Sequence, residues 1–153
     1  MKDLEKLVDL YTDYLIATDS QTTATELSSI LDRQISHDKF TRMLKEGAFN
    51  SSYLWKKVKK MVRTIELEDG CLIFDDTIVE KEWTDENEIV CWHYDHPKAR
   101  NVKGFNIINM IYHSNDISIP VDFRVVEKPI IFYDNNGKRK RRSTTTKNEL
   151  VRC

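Results

Sequence analysis

Two adjacent carboxylates, Asp75 and Asp76, follow the short apolar run at residues 71–74. A carboxylate beside a buried strand is costly unless a partner compensates its charge. A divalent cation is one such partner, and sites built from oxygen ligands favour Mg²⁺ or Mn²⁺. In two-metal phosphoryl transfer, a carboxylate at the end of a strand can bridge two ions about 4 Å apart. The pattern equally suits a strand that turns into solvent, so the residues alone leave both interpretations open.

A second group of potential metal ligands is Cys91-x-His93-x-x-His96, with Asp95 between the two histidines. Thiolate, imidazole and carboxylate groups all bind zinc, but this spacing matches no structural zinc pattern. We therefore favour a loop packed by aromatic side chains over a metal site. The aromatic residues of this segment are Trp83, Trp92 and Tyr94.

Basic residues that could contact DNA phosphates fall in four groups along the chain. The helix pair between Thr23 and Glu46 has the proportions of a helix-turn-helix, whose second helix would present recognition residues. A fourth helix carries a basic face, and the tail carries a basic run that suits phosphates or a nuclear address. The four groups are His37, Lys39, Arg42 and Lys45; Lys56, Lys57, Lys59, Lys60 and Arg63; Lys98, Arg100 and Lys103; and Lys138, Arg139, Lys140, Arg141 and Arg142. Helix pairs of this size and solvated lysine faces are also common in proteins that bind no nucleic acid.

Length and composition limit the classes of protein that remain. The 153 residues suit one domain with its own core, and 40% apolar with 32% charged residues is ordinary globular composition. Cys71, Cys91 and Cys153 are widely spaced and odd in number, which favours reduced thiols over a disulfide framework. The charged amino terminus lacks a secretory signal, and no apolar run approaches the roughly 18 residues of a membrane helix. We therefore expect a cytosolic protein.

Hydrophobic spacing predicts four helices before Gly70. The second helix begins with the capping box Thr23-Ala24-Thr25-Glu26, and Ser36 is the expected N-cap of the third. The fourth begins near Ser51. The residues of these three helices that should face inward are Leu27, Ile30, Leu31, Phe40, Met43, Leu44, Leu54, Val58, Met61 and Ile65.

Strands are predicted after Gly70, at residues 71–74, 105–113 and 117–125. The first is a continuous apolar run, as expected for a central strand that is buried on both faces. Pro120 puts the third strand at or near an edge, because proline cannot donate to a ladder on both sides. Residues 83–103 are expected to form a loop, and residues 143–150 the capped start of another helix.

Three segments of the second half carry a resemblance to a known family: residues 72–77 (LIFDDT), 91–96 (CWHYDH) and 101–104 (NVKG). They are similar to the core of insertion-sequence transposases of the DDE type, over a span from about Leu72 to Val151. The resemblance implies a ribonuclease-H-like fold, with three antiparallel strands followed by alternating helices and parallel strands. It also implies that Asp76, just before a threonine, is the first catalytic carboxylate and a ligand of Mg²⁺ or Mn²⁺. Asp75 is the second choice.

The chain departs from this family in its length. The second aspartate of the family lies on a strand after the first core helix, and its glutamate lies on a later helix. The 153 residues end within that first helix, so the metal pair would lack ligands. We therefore expect a truncated transposase that is inactive alone and binds no metal tightly.

These observations predict an α+β fold with a helical, DNA-binding region at residues 1–68 and the three-stranded start of a ribonuclease-H-like core at residues 69–153. The predicted function is that of a transposase fragment, from an enzyme that catalyses cut-and-paste DNA transposition by metal-dependent phosphoryl transfer. The alternative is a DNA-binding regulator that recognises element ends without catalysis, and a third interpretation is a helical interaction module without nucleic acid. Expected partners are transposon ends, a second copy of the chain or a full-length transposase. We expect a bacterial-type cytosol near the nucleoid, and no membrane.

Overall fold

Five helices and six strands make up the residues that the computed structural model describes, 2–19 and 22–152. In chain order they are α1 (Lys2–Ala17), α2 (Ala24–Ile30), α3 (His37–Glu46), α4 (Ser51–Ile65), β1 (Cys71–Glu80), β2 (Cys91–Asp95), β3 (Arg100–Ser114), β4 (Ile117–Val125), β5 (Ile130–Tyr133), β6 (Arg139–Arg142) and α5 (Lys147–Arg152). The protein is mixed α+β, with helices before strands, as the sequence predicts. None of these helices has both the length and the apolar character that crossing a bilayer requires.

The chain folds as two compact units, the first ending at Ala48 and the second beginning at Phe49. The sequence predicts this boundary at residues 68 and 69 instead. The difference comes from α4, which packs on β4 in the second unit. Val62 of α4 lies in a buried cluster with Ile119 and Val121 of β4. A helix that buries its apolar face on a sheet folds with that sheet.

In the first unit, half of the capping box predicted for α2 is formed, and Tyr14 of α1 replaces the other half. Thr23 Oγ1 accepts a hydrogen bond from Glu26 N at 3.1 Å, which is the expected half of the box. The Glu26 carboxylate does not return to Thr23; it accepts from the Tyr14 hydroxyl, which itself accepts from Thr23 N at 3.0 Å. The buried apolar residues of this unit are Leu7, Tyr14, Leu27, Phe40 and Met43.

Three apolar residues that the helical spacing predicts to face inward are exposed: Ile30, Leu44 and Met61. Leu44 follows the buried Met43, and Met61 precedes the buried Val62. Successive positions of an α-helix are rotated by about 100°, since a turn takes about 3.6 residues. In α4 the buried stripe therefore passes through Val62 instead of Met61, and in α3 it includes Met43 but not Leu44.

The second unit contains a four-stranded antiparallel sheet with β3 at its centre. β1 pairs with residues 104–113 of β3 on one side, while β2 pairs with residues 100–104 and β4 with residues 107–114 on the other. The predicted antiparallel strands at 71–74, 105–113 and 117–125 correspond to β1, β3 and β4. Gly104 allows β1 and β3 to approach, because a Cβ there would lie 2.2 Å from the Val79 carbonyl oxygen.

β1 is longer and more exposed than the sequence predicts. It runs from Cys71 to Glu80, so Asp75 and Asp76 lie within the strand rather than at its end. Leu72, Ile73 and Phe74 are exposed, which corrects the prediction of a strand buried on both faces. The reason is position: among the described strands, β1 pairs with β3 alone and forms an edge of the sheet.

The predicted turn between the second and third strands is confirmed. Asn115 and Asp116 join β3 to β4 with φ values of 51° and 62°, a left-handed pair that suits a tight hairpin turn. Pro120 lies in β4 at a register shift opposite Met110 and Ile111. β4 has β3 as its one partner in the described sheet, so the proline lies in an edge strand as expected.

A segment predicted to be a loop, residues 83–103, contains strand β2. The basic run also forms a strand, since Arg139–Arg142 pair with β5 in a hairpin. The aromatic packing predicted for the first segment is also wrong. Trp83 is 97% exposed, and Trp92 and Tyr94 point to the open face of β2. The capped helix predicted near residue 146 is confirmed by reciprocal bonds between Thr146 and Glu149 at the start of α5.

Candidate functional site

Strand alternation separates the two candidate carboxylates of β1. Successive side chains of a strand point to opposite faces, so Asp75 and Asp76 cannot lie together in one site. Asp76 shares a face with Ile108 and Asn106 of β3, whereas Asp75 is on the opposite face, and both carboxylates are exposed. Asp76, the first choice from the sequence, therefore lies in the more structured environment.

Asp76 is held by two donors on different elements. Asn106 Nδ2 donates to Asp76 Oδ2 at 3.1 Å, and the Lys147 ammonium forms an ion pair with the same oxygen. Lys147 is the first residue of α5, and the capping box at Thr146 fixes where that helix begins. The site is thus built from β1, β3 and α5, and no part of it comes from the first unit.

The electrostatic environment of Asp76 favours its charged form. The hydrogen bond from Lys147 is the largest influence that lowers the pKa of Asp76, and Asn106 lowers it further, while partial burial opposes both. Asn106 is 1% exposed, and its amide oxygen has no hydrogen-bond partner. A buried polar atom without a partner is unfavourable. The Asp76 carboxylate and this amide oxygen are the oxygen donors that Mg²⁺ or Mn²⁺ would take up, with water completing the shell.

The cysteine and histidines of the suggested zinc site do not converge. Cys91 and His93 are buried on the inner face of β2, with Sγ and Nε2 3.4 Å apart. Asp95 Oδ1 accepts from Lys98 N at 3.1 Å and so caps a turn, while His96 is exposed against the Tyr94 ring. Within residues 2–19 and 22–152, no three side chains of His, Cys, Asp or Glu are grouped to hold a metal ion.

Burial controls the charge of His93. It lowers the pKa of His93 to about 4, and the nearby ammonium groups of Lys128 and Lys147 act in the same direction. His93 is therefore neutral at physiological pH. Burial also raises the pKa of the neighbouring Cys91 thiol, which keeps it protonated. This pair suits a packed interior better than a metal site or a nucleophile.

The basic residues around β2 and β3 are largely neutralised within the protein. Lys98 and Arg100 both pair with Glu80 at the end of β1, the latter with Nη2 3.1 Å from Oε2. Lys103 lies in register with Trp92 on the outer face and is partly buried. Of the three residues that the sequence predicts to contact DNA here, Lys98 and Arg100 therefore already have a carboxylate partner.

The basic residues predicted on two helices are exposed. On α3 they are His37, Lys39, Arg42 and Lys45, and on α4 they are Lys56, Lys57, Lys59, Lys60 and Arg63. His37 lies 3.3 Å from the Asp38 carboxylate, and the Lys57 ammonium lies 5.6 Å from the Tyr53 ring centre. α3 and α4 belong to different units.

The basic run from Lys138 to Arg142 is divided by its contacts. Lys140 Nζ lies 2.9 Å from Asp134, Arg141 Nε lies 3.2 Å from Glu86, and Arg142 lies over the Phe132 ring. Lys138 and Arg139 are exposed and have no carboxylate partner among residues 2–19 and 22–152. Arg142 likewise has no carboxylate partner in the described part of the chain, so Lys140 and Arg141 are the two residues of the five that are paired with a carboxylate.

Sequence reasoning missed Asn106 and Lys147. Asn106 could have been recognised from the sequence, because it is a polar residue within the apolar run of β3 and lies on the same face as Ile108. Lys147 had none beyond its place next to a capping threonine. Its contact with Asp76 spans 71 positions of sequence and depends on how α5 packs against the sheet.

Comparison with family models, with curated proteins and with solved structures gives no match for this chain. The function must therefore be argued from the residues and their geometry.

Proposed function

We propose that this chain is a fragment of a DDE-type transposase, an enzyme of cut-and-paste DNA transposition by metal-dependent phosphoryl transfer. The observation that carries the proposal is the environment of Asp76: a carboxylate on a strand of an antiparallel sheet, kept charged and next to the unpartnered amide oxygen of Asn106. The order of β1, β3 and β4 is compatible with the start of a ribonuclease-H-like fold.

In this proposal, Asp76 and Asn106 hold one side of a divalent cation. Mg²⁺ or Mn²⁺ would activate the attacking water or 3′-hydroxyl and stabilise the leaving oxygen. Lys147 now neutralises Asp76, so it competes with a cation for the same oxygen. Two further carboxylates complete the set of metal ligands in that family.

The test is Mn²⁺ binding to the whole chain, followed by titration calorimetry and by the paramagnetic broadening of nearby resonances. We expect weak binding that broadens the signals of residues around Asp76 and Asn106 and is lost in Asp76→Asn. Asp75→Asn is the matched control, since it removes the same charge from the opposite face of β1. Equal Mn²⁺ affinity in Asp76→Asn and the unaltered chain would show that Asp76 is no metal ligand.

The second candidate is a DNA-binding regulator without catalysis, which competes with an intact transposase for the element ends. The exposed basic residues of α3 and α4 favour it, because they can contact phosphates with no metal present. Both candidates place the protein in the cytoplasm near the nucleoid, with DNA and a second copy or a full-length transposase as partners.

Duplex binding by the whole chain separates both candidates from a helical interaction module. The affinity should fall steeply as the salt concentration rises, because each phosphate contact releases counterions. Lys56→Gln with Lys60→Gln should reduce that slope by roughly 2, about one per cation removed. Absence of duplex binding even at low salt would contradict both candidates and favour the helical interaction module.

A further inference from the structure

A groove of about 290 Å³ lies between β2 and the hairpin of β5 and β6. Its walls are lined by Glu86, Trp92, Asn101 and the residues from Lys138 to Arg141. All of them belong to the second unit, and none belongs to the surroundings of Asp76. The groove is therefore separate from the candidate site at Asp76.

Strand alternation exposes the aromatic wall of this groove. Cys91, His93 and Asp95 take the inner face of β2, so Trp92 and Tyr94 point outward. Trp92 is 53% exposed, although tryptophan is a residue that folded proteins mostly cover. The hairpin residues that line the groove, Lys138 to Arg141, are all basic, so no apolar side chain of the hairpin covers the Trp92 ring there.

Contacts within the protein fix the frame of the groove. Lys128 Nζ donates to the Trp92 carbonyl oxygen at 2.7 Å, and Arg141 Nη1 donates to the Lys128 carbonyl oxygen at 3.3 Å. Arg141 also pairs with Glu86. The hairpin is therefore attached to β2 through Lys128, which places the basic strand β6 beside Trp92.

The charge of the groove points to an anionic ligand. Glu86 is matched by Arg141, whereas Lys138 and Arg139 have no carboxylate partner within the described part of the chain. Two unmatched cations beside an open indole ring suit a ligand that has both phosphates and flat aromatic rings. Single-stranded nucleic acid is bound in this way, with bases stacked on aromatic side chains and the backbone along a positive groove.

We propose that this groove binds unpaired nucleotides of a DNA strand. A base stacks on Trp92, Asn101 offers its amide to the edge of that base, and Lys138 and Arg139 contact the flanking phosphates. Paired bases are stacked on each other inside a duplex, so the ring of Trp92 selects an unpaired segment. The inference rests on the proposed function in taking DNA as the ligand, but it uses a surface other than the basic faces of α3 and α4.

The test is binding of a short labelled oligothymidylate to the whole chain, compared with a blunt duplex of equal length, by fluorescence anisotropy. Trp92→Ala should weaken oligothymidylate binding roughly 5- to 150-fold, the range measured when a stacking aromatic is removed. Trp83→Ala is the matched control, because Trp83 is also an exposed tryptophan but lies outside the groove. Duplex binding should be the same in both variants.

The outcomes separate this inference from the proposed function. Duplex binding that persists while Trp92→Ala and Trp83→Ala bind oligothymidylate equally would overturn the groove and leave the proposed function in place. Oligothymidylate binding that requires Trp92 while no duplex binds would support the groove and overturn the duplex-binding proposal. Tighter binding of oligouridylate than of oligothymidylate would overturn the assignment to DNA. Circular dichroism of Trp92→Ala checks that the exposed substitution leaves the fold intact.

Discussion

Asp76 has one carboxylate oxygen that accepts from both a buried amide and an ammonium group, which is the most specific polar contact of the second unit. The two donors have different consequences. Asn106 is fixed within β3, whereas Lys147 reaches Asp76 from the exposed first turn of α5. A cation that took Asp76 Oδ2 as a ligand would compete for that oxygen with both Lys147 and the Asn106 amide.

We predict that Lys147→Met raises the pKa of Asp76 towards its ordinary value of 3.8. The physical reason is that Lys147 makes the largest contribution to lowering that pKa. Carboxyl carbon resonances followed by NMR across acidic pH would measure it. Lys138→Met is the control, since it removes an equal charge at a site that faces another groove. An unchanged pKa of Asp76 in Lys147→Met would contradict the ion pair.

His93 makes stability depend on pH in mildly acidic solution. Its pKa is about 4 in the folded protein and 6.5 without burial, so the unfolded chain binds the proton first as the pH falls. The contribution to stability is complete above about pH 6.5 and is lost as the pH falls towards 4. Linkage limits this loss to about 3 kcal/mol.

Urea unfolding at pH 7 and at pH 4.5 measures the effect of His93. We predict a smaller decrease in the free energy of unfolding between these two pH values in His93→Gln than in the unaltered protein. His96→Gln is the control, because it makes the same substitution at an exposed histidine three residues away. The same decrease in all three proteins would mean that His93 is not buried as a neutral group.

At the scale of elements, the packing of α4 decides where the boundary between the two units lies. Val62 lies in the cluster with Ile119 and Val121, whereas its neighbour Met61 is 58% exposed. We predict that Val62→Ala lowers the free energy of unfolding by about 1–3 kcal/mol, from lost burial and the cavity that remains. Met61→Ala should change it by less than about 0.5 kcal/mol, as at other surface sites. Chemical denaturation compares the two, and a larger loss for Met61→Ala would restore the stripe predicted from the sequence.

The elements that could be predicted are those whose signals are local. Helix starts at Thr23 and Thr146 follow from hydrogen bonds within four residues, and the turn at Asn115 and Asp116 follows from residue types that tolerate positive φ. β3 and β4 follow from apolar alternation on either side of that turn. These features need no knowledge of the rest of the fold.

The features that could not be predicted depend on contacts distant in sequence. The exposure of β1 follows from its place at the sheet edge, and a run such as Leu72-Ile73-Phe74 looks the same in a central strand. The sequence did not predict β2, because its polar residues His93 and Asp95 are buried while Trp92 is exposed, which is the reverse of the usual alternation. At the candidate site, Asp76 was predicted from its neighbours, but its partner Lys147 comes from a separate element.

At the scale of the whole molecule, some charged side chains form ion pairs within the protein and others are exposed to solvent. The net charge is −1, so overall attraction to nucleic acid is absent. Glu80, Glu86 and Asp134 already pair with Lys98, Arg100, Arg141 and Lys140. DNA binding would therefore depend on local groups of exposed cations, such as those on α4, and not on total charge.

The division at Ala48 and Phe49 leads to a prediction about cooperative unfolding. Ser51 Oγ donates to the Phe123 carbonyl oxygen at 2.7 Å, and Val62 is buried against Val121, so both ends of α4 are fixed to β4. Its backbone amides should therefore be protected from hydrogen exchange to the same degree as those of β3 and β4. The boundary predicted from the sequence, between residues 68 and 69, would instead make α4 unfold together with α1 to α3.

Val121→Ala distinguishes the two expectations when hydrogen exchange is followed residue by residue. We predict that this change lowers protection in α4, β3 and β4 together by about 1–3 kcal/mol, the cost of removing buried methyl groups. Amides of α2 and α3 near Leu27 and Phe40 should keep their protection, because these helices belong to the first unit. Amides of β1 that point away from β3 should exchange rapidly in every variant, since that edge lacks a partner in the described sheet. Unaltered protection of α4 in Val121→Ala would show that the helix belongs with the first unit after all.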